Sequence, residues 1–502
     1  MSKKKAKEKK YVEPLTKAAW IALIIGFIAF VFSSGRWNLF ITAWIWPFAF
    51  LYFSRETKCV RQFMLLAAAI VIGHIIKWLN VLDAGYIIDA VFCIVWAICW
   101  ILPFVADRLL HTKFRGTIKT LLFPSVFTSI EILRSFLIVG SFGSTAYTQA
   151  GVLSLVQVTS IIGSFGLSFL ILWFGSVMVH VAEGGFKWKS AKHAVCIYLA
   201  FLIAAFGYGS VRLMASPVDT SETVKVATII SPYYSVFSDG EYEALPYEES
   251  KAYFVSEVER AAEGGAEIAC WSEEAFAMAD TDEADFIATA KALSGNYDMY
   301  MVLAYETADT DNSDAGLSVN KSVIVEPDGN VTEYIKTKLV PVTEAPYYVK
   351  GTGNIPTVVT DKTVISSVIC FDSDYPCYIH GFGAQTNEHF ADTDILFVPS
   401  WDWQSVEKAH TKGAEFRAVE NGVSFVKPSY DGISEAVDYQ GHVLMSFDTE
   451  DTGFDTVQFV NVPVNGVDTV YSKIGTVVDF ALIAFGLVMI VVGIISGRRK
   501  ND

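Results

Sequence analysis

A thiol at the end of an apolar run is the first group in this chain with chemistry to offer. Thr363-Val-Ile-Ser-Ser-Val-Ile-Cys-Phe-Asp-Ser-Asp-Tyr-Pro376 reads as a β-branched strand that delivers Cys370 to a polar turn closed by proline. An isolated cysteine in such a place is ordinarily core packing, because free Cys is among the most buried residue types. Its upstream company changes that reading. Glu273 follows the apolar run Ile268-Ala-Cys-Trp271, Lys336 follows Tyr334-Ile335, and Glu344 lies a little further on. A Glu can take the proton of a thiol, and a Lys can lower the thiol pKa and stabilise the oxyanion of a tetrahedral intermediate. Glu344 can hold that lysine by a charge-assisted hydrogen bond. Each charge alone could be solvated surface. At three successive strand ends they point to nucleophilic acyl chemistry.

The elements that must position these groups alternate along the middle of the chain. Val224 to Ile230 is a strand, Tyr247 to Ala262 a helix, Asp282 to Ser294 a helix and Met299 to Tyr305 a strand. Val323 to Thr332 is a hairpin about Asp328-Gly329, and Gly432 to Val443 a second one about Gln440-Gly441. Ile395 to Pro399 is a strand and Val406 to Asn421 a helix. A polar loop around Asp311 is expected to be exposed. The pattern predicts an α/β sandwich of two sheets flanked by helices.

Composition divides the 502 residues further. The chain is 52% hydrophobic and only 18% charged, with mean hydropathy +0.38, where a soluble protein carries about a quarter charged residues. The apolar excess sits in the first ~215 residues and in one last segment, each run near the ~20 residues that cross a bilayer. Spans are predicted at 15–34, 37–53, 62–79, 84–106, 119–139, 160–182, 193–213 and 475–496. Glu131 and Arg134 share one helical face within the fifth and could pair there. Residues 214–472 hold 44 of the 54 acids and 13 of the 38 Lys and Arg. With no basic stripe for phosphates, nucleic acid is not expected as a partner. The seven cysteines show no CxxC or zinc spacing, so no metal site is expected.

Three divisions follow: a membrane part, 1–213, with about seven spans; an extracytoplasmic domain, 214–472; and a last helix with a basic tail, 473–502. The lysine head (Lys3-Lys4-Lys5, Lys7, Lys9, Lys10) and the loops at Arg55-Lys58-Arg61, Arg108-Lys113-Arg115-Lys119 and Lys187-Lys189-Lys192 alternate with nearly uncharged loops. Basic loops stay cytoplasmic. Seven crossings from a cytoplasmic start put the middle domain outside, and an eighth returns the chain to Arg498-Arg499-Lys500.

On these residues the sequence resembles the apolipoprotein N-acyltransferase family, a membrane-embedded branch of the nitrilase-like carbon–nitrogen hydrolases. Trp271-Ser-Glu273-Glu-Ala275 is similar to the family's Trp-Pro-Glu-Thr-Ala. Lys336-Thr-Lys-Leu-Val-Pro341-Val-Thr-Glu344 is similar to its Lys-x-x-Leu-Val-Pro-Phe-Gly-Glu. Ile369-Cys370-Phe371-Asp372 is similar to Ile-Cys-Tyr-Glu, and His410-x-x-x-Ala414-x-x-Arg417-Ala-Val-Glu420 to the helix after the active-site loop. Within the membrane part, Glu131-Ile-Leu-Arg134, Gln157 and Gly163 also fit. The resemblance implies a nitrilase-like αββα sandwich on a polytopic membrane domain. It also implies a Glu273-Lys336-Cys370 triad supported by Glu344, Asp372 and Phe371, and no metal or soluble cofactor. The implied reaction takes an acyl chain from a phospholipid through a Cys thioester to the α-amino group of a lipoprotein's N-terminal diacylglyceryl-cysteine, at a bacterial inner or plasma membrane. The chain departs from the family pattern at Asp372, one methylene shorter than Glu, at Val342-Thr343 for Phe-Gly, at Ser400-Trp401-Asp402-Trp403 for Asn-Asp-Ala-Trp, and at Ile229-Ile-Ser-Pro232 for Gln-Gly-Asn. Two other readings stand beside this one: a membrane-tethered amidase or acyltransferase with a different acceptor, and a non-catalytic lipid- or protein-binding descendant.

Overall fold

Apolar runs in the first part of the chain become helices that bury one another's aromatic faces. The computed structural model describes residues 13–81, 85–137, 139–231, 234–236, 242–308, 317–403 and 405–498. The lysine head, Pro232, Asp311 and Arg499-Lys500 lie outside the described residues. Helices α1 (Lys17–Phe32), α2 (Thr42–Glu56), α3 (Val60–Trp78), α4 (Tyr86–Leu110), α5 (Leu122–Ser135), α6 (Thr159–Glu183) and α7 (Trp188–Ala215) form the membrane part.

Among the described residues, six helices are long and apolar enough to cross a membrane: α3 to α7, two of them extended by a short 3-10 turn, and the last helix of the chain. The first two are shorter than the expected spans, at 16 and 15 residues. Ser33-Ser34-Gly35 ends α1 in a turn with Gly35 at φ 75°, and Pro47 interrupts the donor ladder of α2. The two pack antiparallel, with Phe30 against Trp46 and Phe50, and with Gly26 leaving room for the Phe50 ring.

The expected Glu131–Arg134 pair is not formed. Glu131 Oε1 instead accepts the backbone N–H of Thr145 at 2.7 Å, and the Arg134 guanidinium lies 5.0 Å from the Trp96 ring centre. Sharing a helical face did not suffice, because each group found a better partner on a neighbouring segment. In α6, Gly163 has φ 67° and ψ 174°, a break filled by the Tyr471 ring.

Two sheets stack in the second part. Elements β1 (Thr223–Ile230), α8 (Tyr247–Glu263), β2 (Ile268–Trp271), β3 (Phe276–Ala279), α9 (Asp280–Tyr297), β4 (Tyr300–Ala308), β5 (Val319–Val325) and β6 (Val331–Ile335) come first. Then follow β7 (Thr357–Val359), β8 (Val364–Ser367), β9 (Ile395–Phe397), α10 (Glu407–Asn421), β10 (Ser424–Lys427), β11 (Ile433–Val437), β12 (Val443–Asp448), β13 (Thr456–Pro463) and α11 (Val470–Arg498). One sheet runs β13-β1-β2-β4-β5-β6, with β3 added beside β4; the other runs β12-β11-β10-β9-β8-β7.

Period-2 alternation builds two cores from each strand. Val226, Ile268, Cys270 and Val302 face Ile365, Ile395 and Phe397 between the sheets. Ala269, Trp271, Met301 and Leu303 turn the other way onto Phe254 and Phe286 of α8 and α9. Leu396 and Phe425 likewise face Ala414 and Ala418 of α10. The result is the expected helix–sheet–sheet–helix sandwich. Strand β3 was not foreseen, and β8 ends three residues before Cys370.

Contacts from the uncharged loops and the α6 break of the membrane part clamp this sandwich. Ser141 N donates to Asp374 O at 2.5 Å, Gln157 Nε2 to Gln440 O at 2.8 Å and Ser164 N to Glu420 Oε1 at 2.5 Å.

The Gly163 break yields a stability prediction. An alanine Cβ there would lie 2.3 Å from Tyr471 Cε2, on a backbone only glycine adopts without strain. Gly163→Ala should cost roughly 2–5 kcal/mol from strain and overpacking together. Gly207→Ala, whose Cβ meets open space on α7, should be neutral or stabilising by about 0.5–1 kcal/mol. Unfolding midpoints in detergent compare the two; equal midpoints would contradict the assigned packing.

Candidate active site

Lys336 is where the three strand ends converge. Strand β6 ends at Ile335, so the next side chain drops into the interior, fully buried. Its ammonium donates to Glu273 Oε1 and Glu344 Oε1, both at 2.6 Å, which leaves one of its three hydrogens uncommitted. Burial opposes this charge, but Glu273, Glu344 and the neighbouring Cys370 outweigh it and hold the lysine well above its ordinary pKa.

Glu273, two residues past β2, is buried, and both its oxygens accept hydrogen bonds. Oε1 also accepts Asn320 Nδ2 at 2.8 Å, and Oε2 accepts the backbone N–H of Trp401, from beyond the other sheet, at 2.9 Å. Asn320 reaches Glu274 Oε1 as well, at 3.0 Å. Burial, with the Glu273 charge second, pushes Glu274 well above the carboxylate range. Glu344 Oε2 accepts Val340 N at 2.9 Å, which shapes the turn after Lys336.

Cys370 opens a 3-10 turn at φ 45°, a conformation L-residues seldom take. Its N–H is spent on Pro399 O at 2.8 Å, and Sγ lies 3.7 Å from Trp401 O. The peptide N–H of Cys370 is thus already engaged, while Lys336 keeps a hydrogen uncommitted. Burial raises the thiol well above its ordinary pKa; Glu273 adds to the rise and Lys336 opposes it. At rest the sulfur is a neutral thiol that needs a base.

Asp372, the shortened acid, is wholly buried and ties the turn together. Oδ2 accepts Tyr334 OH at 2.7 Å and Ile369 N at 3.2 Å, and Oδ1 accepts Lys338 N at 2.6 Å and Thr337 N at 3.2 Å. Burial pushes it up to about 7 against those donors and Lys336. Phe371 is half-buried and edge-on to Tyr375. The structure therefore gathers Glu273, Lys336, Glu344 and Cys370 at one centre and sets Asp372 beneath it.

Other cysteines lack this setting. Cys270 is sealed between the sheets, and Cys377 hydrogen-bonds Asp479; burial raises both thiols, with the Asp479 charge adding to the second. A narrow cleft opens on Cys370, walled by Phe92, Val139 and Phe142 of the membrane part and by Val340, Trp401 and Trp403 of the sandwich. Asn320 and the Trp401 backbone were not foreseen, since nothing local in the sequence marks a residue that bridges strand ends. Asp402 and His410 also face Cys370, their ligand atoms and its sulfur within 4.8 Å of one another. That is a donor set for a cation, yet Lys427 already sits on Asp402, and an ammonium there opposes one.

Charge signs around the sulfur give a test. Alkylation of Cys370 by iodoacetamide should rise with pH throughout the neutral and alkaline range. Glu273→Gln should move the profile to lower pH and Lys336→Met to higher pH, each by on the order of a unit or more. Shifts in the opposite directions would remove these charges from the sulfur's surroundings.

Two family models match the chain: apolipoprotein N-acyltransferase N-terminal domain over residues 15–177, and carbon–nitrogen hydrolase over residues 250–458. Among similar proteins are an apolipoprotein N-acyltransferase of Geobacter metallireducens, 25% identical over 77% of this chain and 76% of that one, and one of Bradyrhizobium diazoefficiens, 22% identical over 77% and 75%. Among solved structures, an amidase from Nesterenkonia sp. is 16% identical, with a TM-score of 0.38 over 50% of this chain and 94% of that one.

Proposed function

We propose that this chain, which belongs with the apolipoprotein N-acyltransferases, moves an acyl chain from a membrane phospholipid through a thioester on Cys370 to the α-amino group of a lipoprotein's N-terminal diacylglyceryl-cysteine. The observation that carries the reading is the apolar cleft over Cys370, walled jointly by membrane helices and the sandwich. A lipid's acyl chain can reach the sulfur there without leaving an apolar surrounding.

In the first half-reaction Glu273 takes the thiol proton, and Sγ attacks the ester carbonyl. Lys336 donates its free hydrogen to the oxyanion, in a site dry enough to strengthen that bond. The C–O bond breaks, the glycerol oxygen gains a proton and lysophospholipid departs. In the second, the amine attacks the thioester, loses a proton, and the C–S bond breaks to return the thiol. Glu344 keeps Lys336 in place, and Asp372 holds the Cys370 turn.

We place residues 214–472 outside the cytoplasmic membrane, with both termini inside. Basic residues of the α2–α3, α4–α5 and α6–α7 links support this orientation. The short α1–α2 pair does not disturb it: two antiparallel helices change the number of crossings by two or by none, so parity is kept.

Incubated with phospholipid and no acceptor, the protein should gain one acyl chain on Cys370, removable by neutral hydroxylamine. Cys370→Ala should abolish it, while Glu273→Gln and Lys336→Ala should each slow its formation by on the order of 10²–10⁴. An adduct on Cys377 or Cys270, seen by mass spectrometry, would overturn the assignment. For orientation, Asp361→Cys in an exposed turn should react with an impermeant thiol reagent in intact spheroplasts; labelling only after lysis would reverse the topology.

A further inference from the structure

A second proton-handling group faces the sulfur. His410, on α10, binds Asp402 Oδ1 through Nδ1 at 2.6 Å, and Lys427 Nζ lies on the other oxygen of Asp402. The aspartate's own N–H donates to Tyr430 O at 3.0 Å. Asp402, His410 and Lys427 are all buried. The imidazole is therefore locked in orientation, and its other nitrogen is the one left to act. Nε2 makes no hydrogen bond of good geometry; its nearest acid is Asp374 Oδ2 at 3.5 Å. Both His410 and Asp402 line the cleft with Cys370.

Electrostatics agree with this geometry. Burial works against an ionised Asp402, but Lys427 and His410 outweigh it and hold the carboxyl far below its ordinary pKa. Burial and Lys427 work against an imidazolium, while Asp402 and Asp374 outweigh them and raise His410 above its ordinary value. Asp374 is itself raised to about 6 by burial, against His410 and Arg417. Glu273 and Lys336 face Cys370 from the other sheet, and Glu407 lies one turn earlier on α10. With Nδ1 held by Asp402, the proton that His410 can exchange with the cleft is the one at Nε2.

Resting on the acyl-transfer reading above, we propose that His410, oriented by Asp402, gives the proton to the departing glycerol oxygen and later takes one from the incoming amine. The division of labour balances. Glu273 receives the Sγ–H proton as the C–S bond forms; His410 Nε2–H protonates the oxygen as the C–O bond breaks, leaving neutral imidazole. In the second half the attacking amine passes its proton to His410, the C–N bond forms, the C–S bond breaks, and the sulfur regains its proton from Glu273. Both groups end as they began.

The test separates leaving groups that need a proton from those that do not. The full chain in detergent is acylated either by dipalmitoyl phosphatidylethanolamine or by 4-nitrophenyl palmitate, and the Cys370 adduct is timed by intact-protein mass spectrometry. His410→Gln should slow acylation from the phospholipid by on the order of 10²–10³, and should raise the nitrophenyl-to-phospholipid rate ratio at least about tenfold. An equal loss with both donors, the sign of a folding or positioning defect, overturns the proposal, and so does no loss with either. Asp402→Asn should shift the high-pH fall of the phospholipid rate to lower pH, because the donor then loses its proton sooner; an unmoved limb overturns the part given to Asp402. If the unaltered protein forms no adduct from either donor, the underlying acyl-transfer reading falls, an outcome distinguishable because it does not involve His410.

Discussion

A buried ammonium cannot stand without counter-charges, and Lys336 is wholly buried. Desolvating one such ion costs several kcal/mol, and removing one partner of a buried pair costs about 3–5 kcal/mol. Glu273 and Glu344 meet that requirement at 2.6 Å each, and their own needs propagate outward. Glu273 must also satisfy its second oxygen, which binds the Trp401 N–H from the far sheet. Glu344 must bend the chain after β6 so that Val340 N–H reaches it. One lysine thus fixes the end of one sheet, the turn beside it and the link to the other sheet. Cys370 is set among these groups at φ 45°. Such a backbone stores about 1–3 kcal/mol, and the bonds from Pro399 and Asp372 hold it.

The membrane part completes the site as well as anchoring it. Gly140 sits at φ 55°, with its Cα so close to the Asp374 carbonyl that a side chain would strike it. Ser141 then donates its N–H and hydroxyl to that same carbonyl. The turn carrying Cys370 is held from below by a loop between membrane helices. Arg417 on α10 is buried and reaches Tyr147 OH at 2.9 Å while pairing with Glu420. Glu420 in turn accepts the N–H of Ser164, beside the α6 break at Gly163. Charged helix, uncharged loop and broken helix therefore form one network, and loosening either part would open the cleft wall.

What was legible in the sequence followed from local rules. Strands at 224–230 and 268–271 and helices at 247–262 and 406–421 announced themselves by period and turn chemistry. Glu273, Lys336 and Cys370 stood out because each is a reactive type just past an apolar run. Three kinds of fact were not legible. Asn320 and Trp401 act through contacts between strands distant in sequence, on which spacing is silent. Glu131 and Arg134 looked like a pair because they share a face, but Thr145 N–H and the Trp96 ring, set by tertiary packing, took them instead. The end of α1 depended on a Ser-Ser-Gly stop, which hydropathy alone passes over.

The cleft's apolar walls decide which chemistry the charges beneath can favour. Phe92, Phe142, Trp401 and Trp403 keep the local dielectric low, and there a fixed ammonium or imidazolium acts more strongly than it would in water. The same walls raise the cost of charging the thiol, which agrees with its raised pKa. A thiolate is thus disfavoured until its proton acceptor and an oxyanion partner act together. On the proposed reading, that restraint serves a two-step transfer. A resting thiolate would be exposed to oxidation, whereas a neutral thiol flanked by Glu273 and Lys336 becomes nucleophilic only as an ester carbonyl arrives to take up the charge. Exclusion of water then protects the thioester from hydrolysis, so that a lipid-anchored amine entering from the membrane side competes well against solvent. An open polar site with the same residues would sooner hydrolyse its intermediate. On the proposed reading, housing the cysteine between membrane helices and sandwich, instead of at a solvated strand end, turns a hydrolase-like arrangement toward transfer.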